Sequence, residues 1–298
     1  MTARTIDGKA IARRIREDVA AGAAALAEAT GVTPCLAAVL VGEDPASATY
    51  VRMKERACDE AGFRSRVLRL PDDASQAELL ALVAELNADS AVHGILVQLP
   101  LPPAIDAATV MRALDPDKDV DGFHPTNVGR VALGDLESGF VPATPAGVLR
   151  LLREAGVELS GAEAVVVGRS DIVGKPVATL LLQANATVTV CHRATRLMAD
   201  HTARADVLVV AAGRPGLVTG DMVKPGAAVI DVGTNRVDGP GGRARLVGDV
   251  DAASVREVAG WLTPVPGGVG PMTIAMLLEN TLRAARRAAG VAAVGSVP

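Results

Sequence analysis

The sequence predicts an α/β protein with two lobes, each built on parallel strands covered by helices. Strand-like and helix-like segments alternate along almost the whole chain, which is typical of parallel sheets. The apolar run Val165–Val167 enters a glycine turn at Gly168, and a helix-compatible segment follows. The length of 298 residues suits one large domain or two medium ones.

Helix start and stop signals order the first half of the chain. Asp44 before Pro45 is a capping residue followed by the proline favoured at a helix start. Ser75 with Glu78 has the spacing of a capping box. The predicted elements are a helix from Asp7 to about Ala29, a strand at Cys35–Val41, a helix from Asp44 to Gly62, a strand at Phe63–Leu70, a helix after Ser75 and a strand at His93–Leu99.

A hinge at Pro142–Gly147 leads into the second half of the chain. The predicted elements there are strands at Val165–Val167, Thr187–Cys191, Val207–Val210 and Ala227–Asp231, an irregular segment at Pro264–Pro271 and a helix from Met272 to about Arg287. We therefore expect a substrate domain at 1–141 and a Rossmann-like nucleotide domain at 142–270, with the helix at 271–298 packing back on the substrate domain. Binding sites in such sheets lie at the carboxyl ends of the strands.

The turn after Val167 has the setting of a phosphate-binding loop. Backbone N–H groups and a helix N-terminus can hold a phosphate at a strand–turn–helix junction. The turn departs from the usual G-x-G-x-x-G, because Ser170 takes the place of the second glycine and the last glycine comes one residue late, at Gly174. The alternative is that this glycine turn is only a chain reversal.

The end of the following strand indicates which dinucleotide would bind. An NAD site usually has an Asp or Glu there, about 20 residues after the glycine turn, to accept from the ribose 2′-OH. This chain has His192 and Arg193 instead, and Arg169 lies in the turn itself. Two guanidinium groups suit a 2′-phosphate, so we expect NADP as the cofactor. The alternative is that both arginines are solvated surface residues.

Composition excludes several other classes of protein. A net charge of −4 gives no reason to expect nucleic acid or an anionic membrane as a partner. We find no apolar run near the roughly 18 residues of a membrane span and no apolar signal core. Three scattered cysteines without a C-x-x-C pair fit a reducing compartment and no metal site. We therefore expect a cytoplasmic location.

Four polar side chains are candidates for chemistry. Tyr50 and Lys54 are four residues apart and share one helix face. Gln98 ends a buried strand, and Asp121 follows a polar loop. Each has an ordinary alternative role, respectively a core ring, a solvated lysine, a strand-end cap and a loop brace.

Five segments resemble, in order along the chain, the signatures of the bifunctional methylenetetrahydrofolate dehydrogenase/cyclohydrolase (FolD) family. They are Ser47–Lys54, which is similar to S-x-x-Y-V-x-x-K, then Gly94–Pro102, Asp117–Phe123, the shifted glycine loop Gly168–Pro176, and Pro264–Thr273, which contains PGGVGPMT. The resemblance runs from Ile6 to about Leu282. Five separated motifs in the right order are not a chance agreement.

The resemblance implies two reactions of one-carbon metabolism. NADP⁺ oxidises 5,10-methylenetetrahydrofolate to the methenyl form, and water then opens that ring to 10-formyltetrahydrofolate. By resemblance, Lys54 is the base for ring opening, with Gln98 as its hydrogen-bond partner. Tyr50 stacks on the folate, and Asp121 binds the amino edge of the pterin.

The resemblance also assigns the remaining site residues and the assembly. The cofactor positions are Gly168, Arg169, Ser170, Arg193, Thr234 and Thr273, and the further substrate positions are Gly270 and Pro271. No metal is implied. The partners are tetrahydrofolate derivatives, and the family precedent is a homodimer.

The chain departs from the family pattern at three positions. Ala143 stands where the family often has Cys, Arg193 where it commonly has Ser, and Thr234 where Ile is usual. Arg193 could bind the 2′-phosphate or turn into solvent. Two alternatives therefore stay open: a dehydrogenase-only or NAD-using relative, and a non-catalytic folate or dinucleotide sensor. A sensor has no need of Lys54.

Overall fold

The protein is described here from a computed structural model, which covers residues 2–238 and 244–291. The chain forms two compact units. Within the described residues, the first unit comprises 13–143 and 274–291, and the second comprises 2–12 and 144–273. The predicted α/β fold with parallel sheets is confirmed. The predicted domain boundaries and their functional labels stay a prediction, and residues 292–298 of the predicted C-terminal helix lie outside the described part.

The first unit contains a three-stranded parallel sheet in the order β3–β2–β4. Its strands are β2 (Cys35–Val41), β3 (Arg64–Leu70) and β4 (Gly94–Val97). All seven residues of β2 are buried, as expected for a central parallel strand. The helices here are most of α1 (Gly8–Thr30), then α2 (Pro45–Glu60), α3 (Gln76–Ala88), α4 (Ala107–Ala113), α5 (Pro125–Ala132) and most of α10 (Val269–Ala288).

The second unit contains a six-stranded sheet in the order β1–β11–β8–β7–β5–β6, and every pairing in it is parallel. The strands are β1 (Arg4–Thr5), β5 (Glu163–Val167), β6 (Thr187–Cys191), β7 (Val207–Val210), β8 (Ala228–Asp231) and β11 (Trp261–Leu262). Strands β9 (Asn235–Asp238) and β10 (Ala244–Val247) pair antiparallel in a separate two-stranded sheet. The helices are α6 (Ala143–Glu154), α7 (Gly174–Gln183), α8 (Met198–Thr202) and α9 (Ala252–Arg256).

The predicted helix starts are confirmed by their caps. Asp44 Oδ2 accepts from the backbone N–H of Ser47 at 2.7 Å, with Pro45 as the first residue of α2. Ser75 and Glu78 form the predicted reciprocal capping box of α3. These caps satisfy N–H groups that have no partner inside the helix, so they set where α2 and α3 begin.

Several predicted boundaries are wrong. The hinge predicted at Pro142–Gly147 is mostly helical, because α6 begins at Ala143. The strand predicted at His93–Leu99 is shorter, because only Gly94–Val97 are strand residues. The segment Pro264–Pro271, predicted to be irregular, ends in the first turn of α10, which begins at Val269. Pro271 fits in a first helical turn because its missing N–H would have no partner there.

The sequence prediction also missed β1, β11 and the antiparallel pair of β9 and β10. The helices of the described ranges include none that is both long and apolar enough to cross a membrane.

Candidate active site

Helix α2 places one aromatic ring and one amine on the same face of the first unit. Tyr50 is 37% exposed, whereas Lys54, one turn later, is only 8% exposed. Val51 between them is fully buried and holds the helix against its unit. The ring of Tyr50 is therefore accessible to a ligand, while the amine of Lys54 is buried.

The amine of Lys54 has a defined partner at the end of β4. Its Nζ donates to Oε1 of Gln98 at 3.1 Å. The Nε2 of Gln98 donates to the carbonyl of Leu99 at 2.7 Å, and the Gln98 backbone N–H donates to the carbonyl of Val39 at 2.9 Å. These two bonds fix the amide so that its oxygen, rather than its nitrogen, faces Lys54.

Burial changes the protonation of Lys54 and Asp121 in opposite directions. Loss of hydration lowers the pKa of Lys54, and the negative charge of Asp121 opposes that shift only in part. Loss of hydration raises the pKa of Asp121 to about 6, against the opposing effect of Lys54. A neutral amine therefore becomes more accessible near neutral pH, while Asp121 still ionises below pH 7.

The loop that carries Asp121 is clamped from two directions. The buried side chain of Asn280 in α10 donates to the carbonyls of Val120 and Val141, both at 2.9 Å. Ile95 in β4 donates its backbone N–H to the carbonyl of Lys118 at 2.7 Å. These contacts hold Asp121 next to β4, the strand that Gln98 follows. Sequence reasoning missed Asn280, because no local pattern marks a contact across 160 residues.

Asp119 supports the same loop from inside the first unit. Its Oδ2 accepts from the backbone N–H of His124 at 2.7 Å and from Nδ2 of Asn127 at 2.9 Å. Burial raises the pKa of this carboxyl. The charge of Asp119 also raises the pKa of Asp121, so the two carboxyls are electrostatically linked.

The glycine loop of the second unit is shaped by close backbone approaches. Gly168 has φ +131°, and a Cβ there would lie 2.2 Å from the carbonyl oxygen of Ala211. A Cβ at Gly174 would lie 2.3 Å from the carbonyl oxygen of Gly168. Ser170 Oγ accepts from the N–H groups of Val173 and Gly174 at 3.2 and 3.3 Å. Gly174 is thus needed because the first residue of α7 lies in close contact with the backbone of the glycine turn.

Two of the predicted arginines follow neighbouring parallel strands. Arg169 follows β5 and Arg193 follows β6, and both are exposed. The turn after β6 is closed by Thr195, whose Oγ1 accepts from the N–H of His192 at 2.9 Å. Arg196 is a further exposed arginine on this turn, which sequence reasoning missed. The carboxyl ends of β5 and β6 are therefore rich in positive charge.

The remaining predicted residues also lie in the second unit. Thr234 is exposed just after β8. Gly270, Pro271 and Thr273 lie in the first turns of α10. The Thr273 hydroxyl is 2.9 Å from that of Thr144. Thus Tyr50, Lys54, Gln98 and Asp121 belong to the first unit, and all predicted cofactor residues belong to the second.

These features agree with known protein families. Residues 6–121 match the family model "Tetrahydrofolate dehydrogenase/cyclohydrolase, catalytic domain". Residues 142–289 match "Tetrahydrofolate dehydrogenase/cyclohydrolase, NAD(P)-binding domain". The bifunctional protein FolD of Azoarcus sp. (strain BH72) is 59% identical over 293 residues, which are 98% of this chain and 99% of that protein.

Solved structures show the same similarity. The bifunctional FolD of Campylobacter jejuni has a TM-score of 0.92 and 50% identity, covering 96% of this chain and 99% of that chain. The Trypanosoma brucei FolD, solved with NADP cofactor and inhibitor, has a TM-score of 0.93 and 45% identity, covering 96% of this chain and 98% of that chain. The resemblance inferred from the five motifs is confirmed. The chain belongs to the tetrahydrofolate dehydrogenase/cyclohydrolase family.

Proposed function

We propose that this protein oxidises 5,10-methylenetetrahydrofolate with NADP⁺ and hydrolyses the resulting 5,10-methenyl form to 10-formyltetrahydrofolate. Membership of the family and near-complete coverage by bifunctional relatives support both activities. The observation that carries the proposal is the withdrawn amine of Lys54, held 3.1 Å from the Gln98 oxygen beside an exposed tyrosine.

Lys54 is the proton-handling group of the ring opening. The oxygen of a water molecule bonds to the bridging carbon, and the neutral amine accepts one proton of that water. The bond between this carbon and N5 then breaks, a proton is delivered to N5, and the carbonyl forms as the hydroxyl loses its proton. The net reaction consumes one water and releases one proton. An ordinary lysine, with a pKa of ~10.4, is charged at neutral pH and cannot act as this base. Burial lowers the pKa of Lys54 and so raises the fraction of neutral amine available as the base.

Oxidation of the methylene form requires positioning rather than acid–base chemistry. NADP⁺ supplies the hydride acceptor, and the lone pairs of N5 and N10 stabilise the cation that remains. The protein therefore needs to hold the folate in one place. We assign Tyr50 to stacking on the folate, because its ring is the exposed aromatic surface beside Lys54. Asp121 accepts from the amino edge of the pterin.

The second unit fits NADP at the carboxyl ends of β5 and β6. Gly168 and Gly174 keep the backbone of the loop close, and the start of α7 favours negative charge. Arg169 and Arg193 supply two cations where an NAD site would carry a carboxylate. We assign Gly168, Arg169, Ser170, Arg193, Thr234 and Thr273 to the cofactor, and Gly270 and Pro271 to the folate side of the site.

A spectrophotometric assay of NADPH formation from methylenetetrahydrofolate tests this function against its alternatives. The proposal expects NADPH formation and separate hydrolysis of the methenyl form by the same preparation. A dehydrogenase-only relative gives the reduced cofactor without hydrolysis, an NAD-using one gives NADH, and a sensor gives neither product.

We also propose a cytoplasmic homodimer that works without nucleic acid. The charge balance and the scattered free thiols support this location. The family precedent supports the homodimer, which sedimentation equilibrium tests directly.

A further inference from the structure

A buried carboxylate ties together two loops of the second unit. Asp249 is fully buried. Its Oδ2 accepts from the backbone N–H groups of Ala212 and Gly213 at 2.6 and 2.8 Å. Its Oδ1 accepts from the N–H of Arg214 and from Nδ2 of Asn235, both at 2.8 Å. A carboxylate has about four lone-pair sites, so these four amide donors use its whole capacity.

A second buried carboxylate holds Asp249 in place. Asp231, the last residue of β8, accepts at Oδ1 from the backbone N–H groups of Gly233 and Asp249, at 3.0 and 2.9 Å. Its Oδ2 accepts from the N–H of Val250 at 3.1 Å. The two carboxylates therefore join the segment after β10 to the ends of β7 and β8.

Two glycines show how closely this arrangement is packed. A Cβ at Gly248 would lie 1.6 Å from Oδ2 of Asp231, and one at Gly233 would lie 2.4 Å from Oδ1 of Asp249. Such contacts cannot be relieved without moving a carboxylate. The neighbouring backbone is thus fitted to the two acidic side chains.

The position of Asp231 and Asp249 in the sheet indicates which half of a bound dinucleotide lies near them. In the order β8–β7–β5–β6, strands β7 and β8 lie on the opposite side of β5 from β6. A dinucleotide lies across the point where the strand order reverses, with one mononucleotide on each half. On the proposed function, the adenosine half belongs to β5 and β6. The nicotinamide half then belongs to β7 and β8, whose following loops Asp249 holds.

The two glycine-bearing loops differ in what their backbone N–H groups bind. The loop after β5 precedes the N-terminus of α7 and carries Arg169. In the loop after β7, the N–H groups of Ala212, Gly213 and Arg214 are all bonded to Asp249, so they are unavailable to a phosphate. A buried negative charge behind this loop favours a cation near it. The nicotinamide ring carries a positive charge in NADP⁺ and is neutral in NADPH.

We propose that Asp249 is a positioning residue for the dehydrogenase reaction, and that its charge makes the protein bind NADP⁺ more tightly relative to NADPH. It holds the 212–214 loop and Asn235 at the carboxyl ends of β7 and β8. The inference rests on the proposed function, because it assumes that a dinucleotide occupies this sheet.

Dissociation constants for NADP⁺ and NADPH, measured by calorimetry on the full-length protein and on Asp249→Asn, test the proposal. The substitution removes the charge and places an N–H₂ group among N–H donors. We expect the dissociation constant for NADP⁺ to rise about tenfold or more. The fold-increase for NADPH should be at least threefold smaller than the fold-increase for NADP⁺. Cyclohydrolase activity should persist. Unchanged NADP⁺ binding, or equal weakening of both forms, would overturn the proposal.

Two further variants keep the test interpretable. Asp251→Asn is the matched control, because Asp251 lies two residues further along and caps α9, with Oδ2 accepting from the Ser254 hydroxyl at 2.8 Å. It should leave both constants unchanged.

Asn235→Ala removes one donor and keeps the charge, and it serves if Asp249→Asn does not fold. It should weaken both cofactor forms by about the same small factor, and a change in their ratio would contradict the proposal. Failure of the unmutated protein to form NADPH would instead reject the proposed function.

Discussion

The amine of Lys54 donates to the side-chain oxygen of Gln98 at 3.1 Å, and Gln98 is itself held by the carbonyl of Leu99 at 2.7 Å. The glutamine is neutral, so it orients the amine without a full charge that would favour the protonated form. Burial lowers the pKa of Lys54, and the negative charge of Asp121 opposes that effect only in part. The site therefore fixes the position of the amine and lowers its affinity for a proton.

Replacing Gln98 with glutamate should slow ring opening selectively. The substitution keeps the shape but adds a negative charge next to Lys54, which raises the pKa of the amine. At pH values below the pKa, each unit of increase in the pKa lowers the fraction of neutral amine about tenfold. We expect Gln98→Glu to lose at least that factor in hydrolysis of the methenyl form at neutral pH, with a rate that recovers at higher pH.

The matched control for this substitution is Gln76→Glu. Gln76 Oε1 accepts from the backbone N–H of Asp106 at 2.8 Å, and a glutamate can do the same. This variant should hydrolyse the substrate normally. If Gln98→Glu retained the full rate at neutral pH, the charge of the glutamine partner would be irrelevant to the reaction.

Replacing Asp121 with alanine should weaken folate binding. A hydrogen bond to a charged group typically contributes ~1.5–3 kcal/mol, so the dissociation constant should rise at least tenfold. NADP⁺ affinity should change little, because Asp121 belongs to the first unit. Calorimetry with folate and with NADP⁺ separates these effects.

Asp106→Ala is the control for this measurement. Asp106 caps α4, where its Oδ2 accepts from the N–H of Thr109 at 3.0 Å. Its loss should cost about 1 kcal/mol of stability without changing folate affinity. An Asp121→Ala protein with normal folate affinity would show that this carboxylate only supports its loop.

Removing Arg169 or Arg193 should reduce the preference for NADP⁺ over NAD⁺. Each charged contact to a 2′-phosphate typically contributes ~1.5–3 kcal/mol, less where the site is open to water. We expect Arg169→Ala to lower kcat/KM for NADP⁺ much more than for NAD⁺. Arg193→Ser restores the residue common in the family. It should lower the preference for NADP⁺ over NAD⁺ and make that preference less dependent on salt concentration.

Arg196→Ala is the control for general loss of positive charge, because Arg196 is exposed on the same turn. An unchanged or stronger NADP⁺ preference in Arg193→Ser would identify Arg193 as a solvated replacement. Equal use of NADP⁺ and NAD⁺ by the unmutated protein would contradict the whole argument for a 2′-phosphate site.

Features that depend on neighbouring residues in the chain could be predicted from the sequence. The caps at Asp44 and Ser75 depend on side chains three residues from the amides they bind or on an adjacent proline. The glycine turn at Gly168 follows directly from an apolar strand. The roles of Tyr50, Lys54, Gln98 and Asp121 came from the family resemblance, because each residue alone has a common structural role.

Features that depend on distant contacts could not be predicted. Strand β1 has only two residues, and its partner β11 lies more than 250 residues later, so neither has a local hydrophobic period. Asn280 binds carbonyls that any sequence provides. Asp249 binds backbone amides 35 to 37 residues upstream. Every residue type provides a backbone carbonyl and nearly every one a backbone N–H, so the sequence does not indicate which of them a side chain binds.

If the neutral amine of Lys54 is the base for ring opening, Lys54→Met should abolish that step. Hydrolysis of the methenyl form should be followed against pH in the unmutated protein and the variant, with NADP⁺ affinity measured in parallel. Lys224→Met is the control, because Lys224 pairs with Asp206 in the second unit.

The unmutated protein and the control should hydrolyse faster as pH rises through the lowered pKa of Lys54, because the amine is neutral above it. Lys54→Met should show only the uncatalysed rate at every pH, with nearly unchanged NADP⁺ affinity. Hydrolysis by Lys54→Met clearly above the uncatalysed rate would show that Lys54 is not the base.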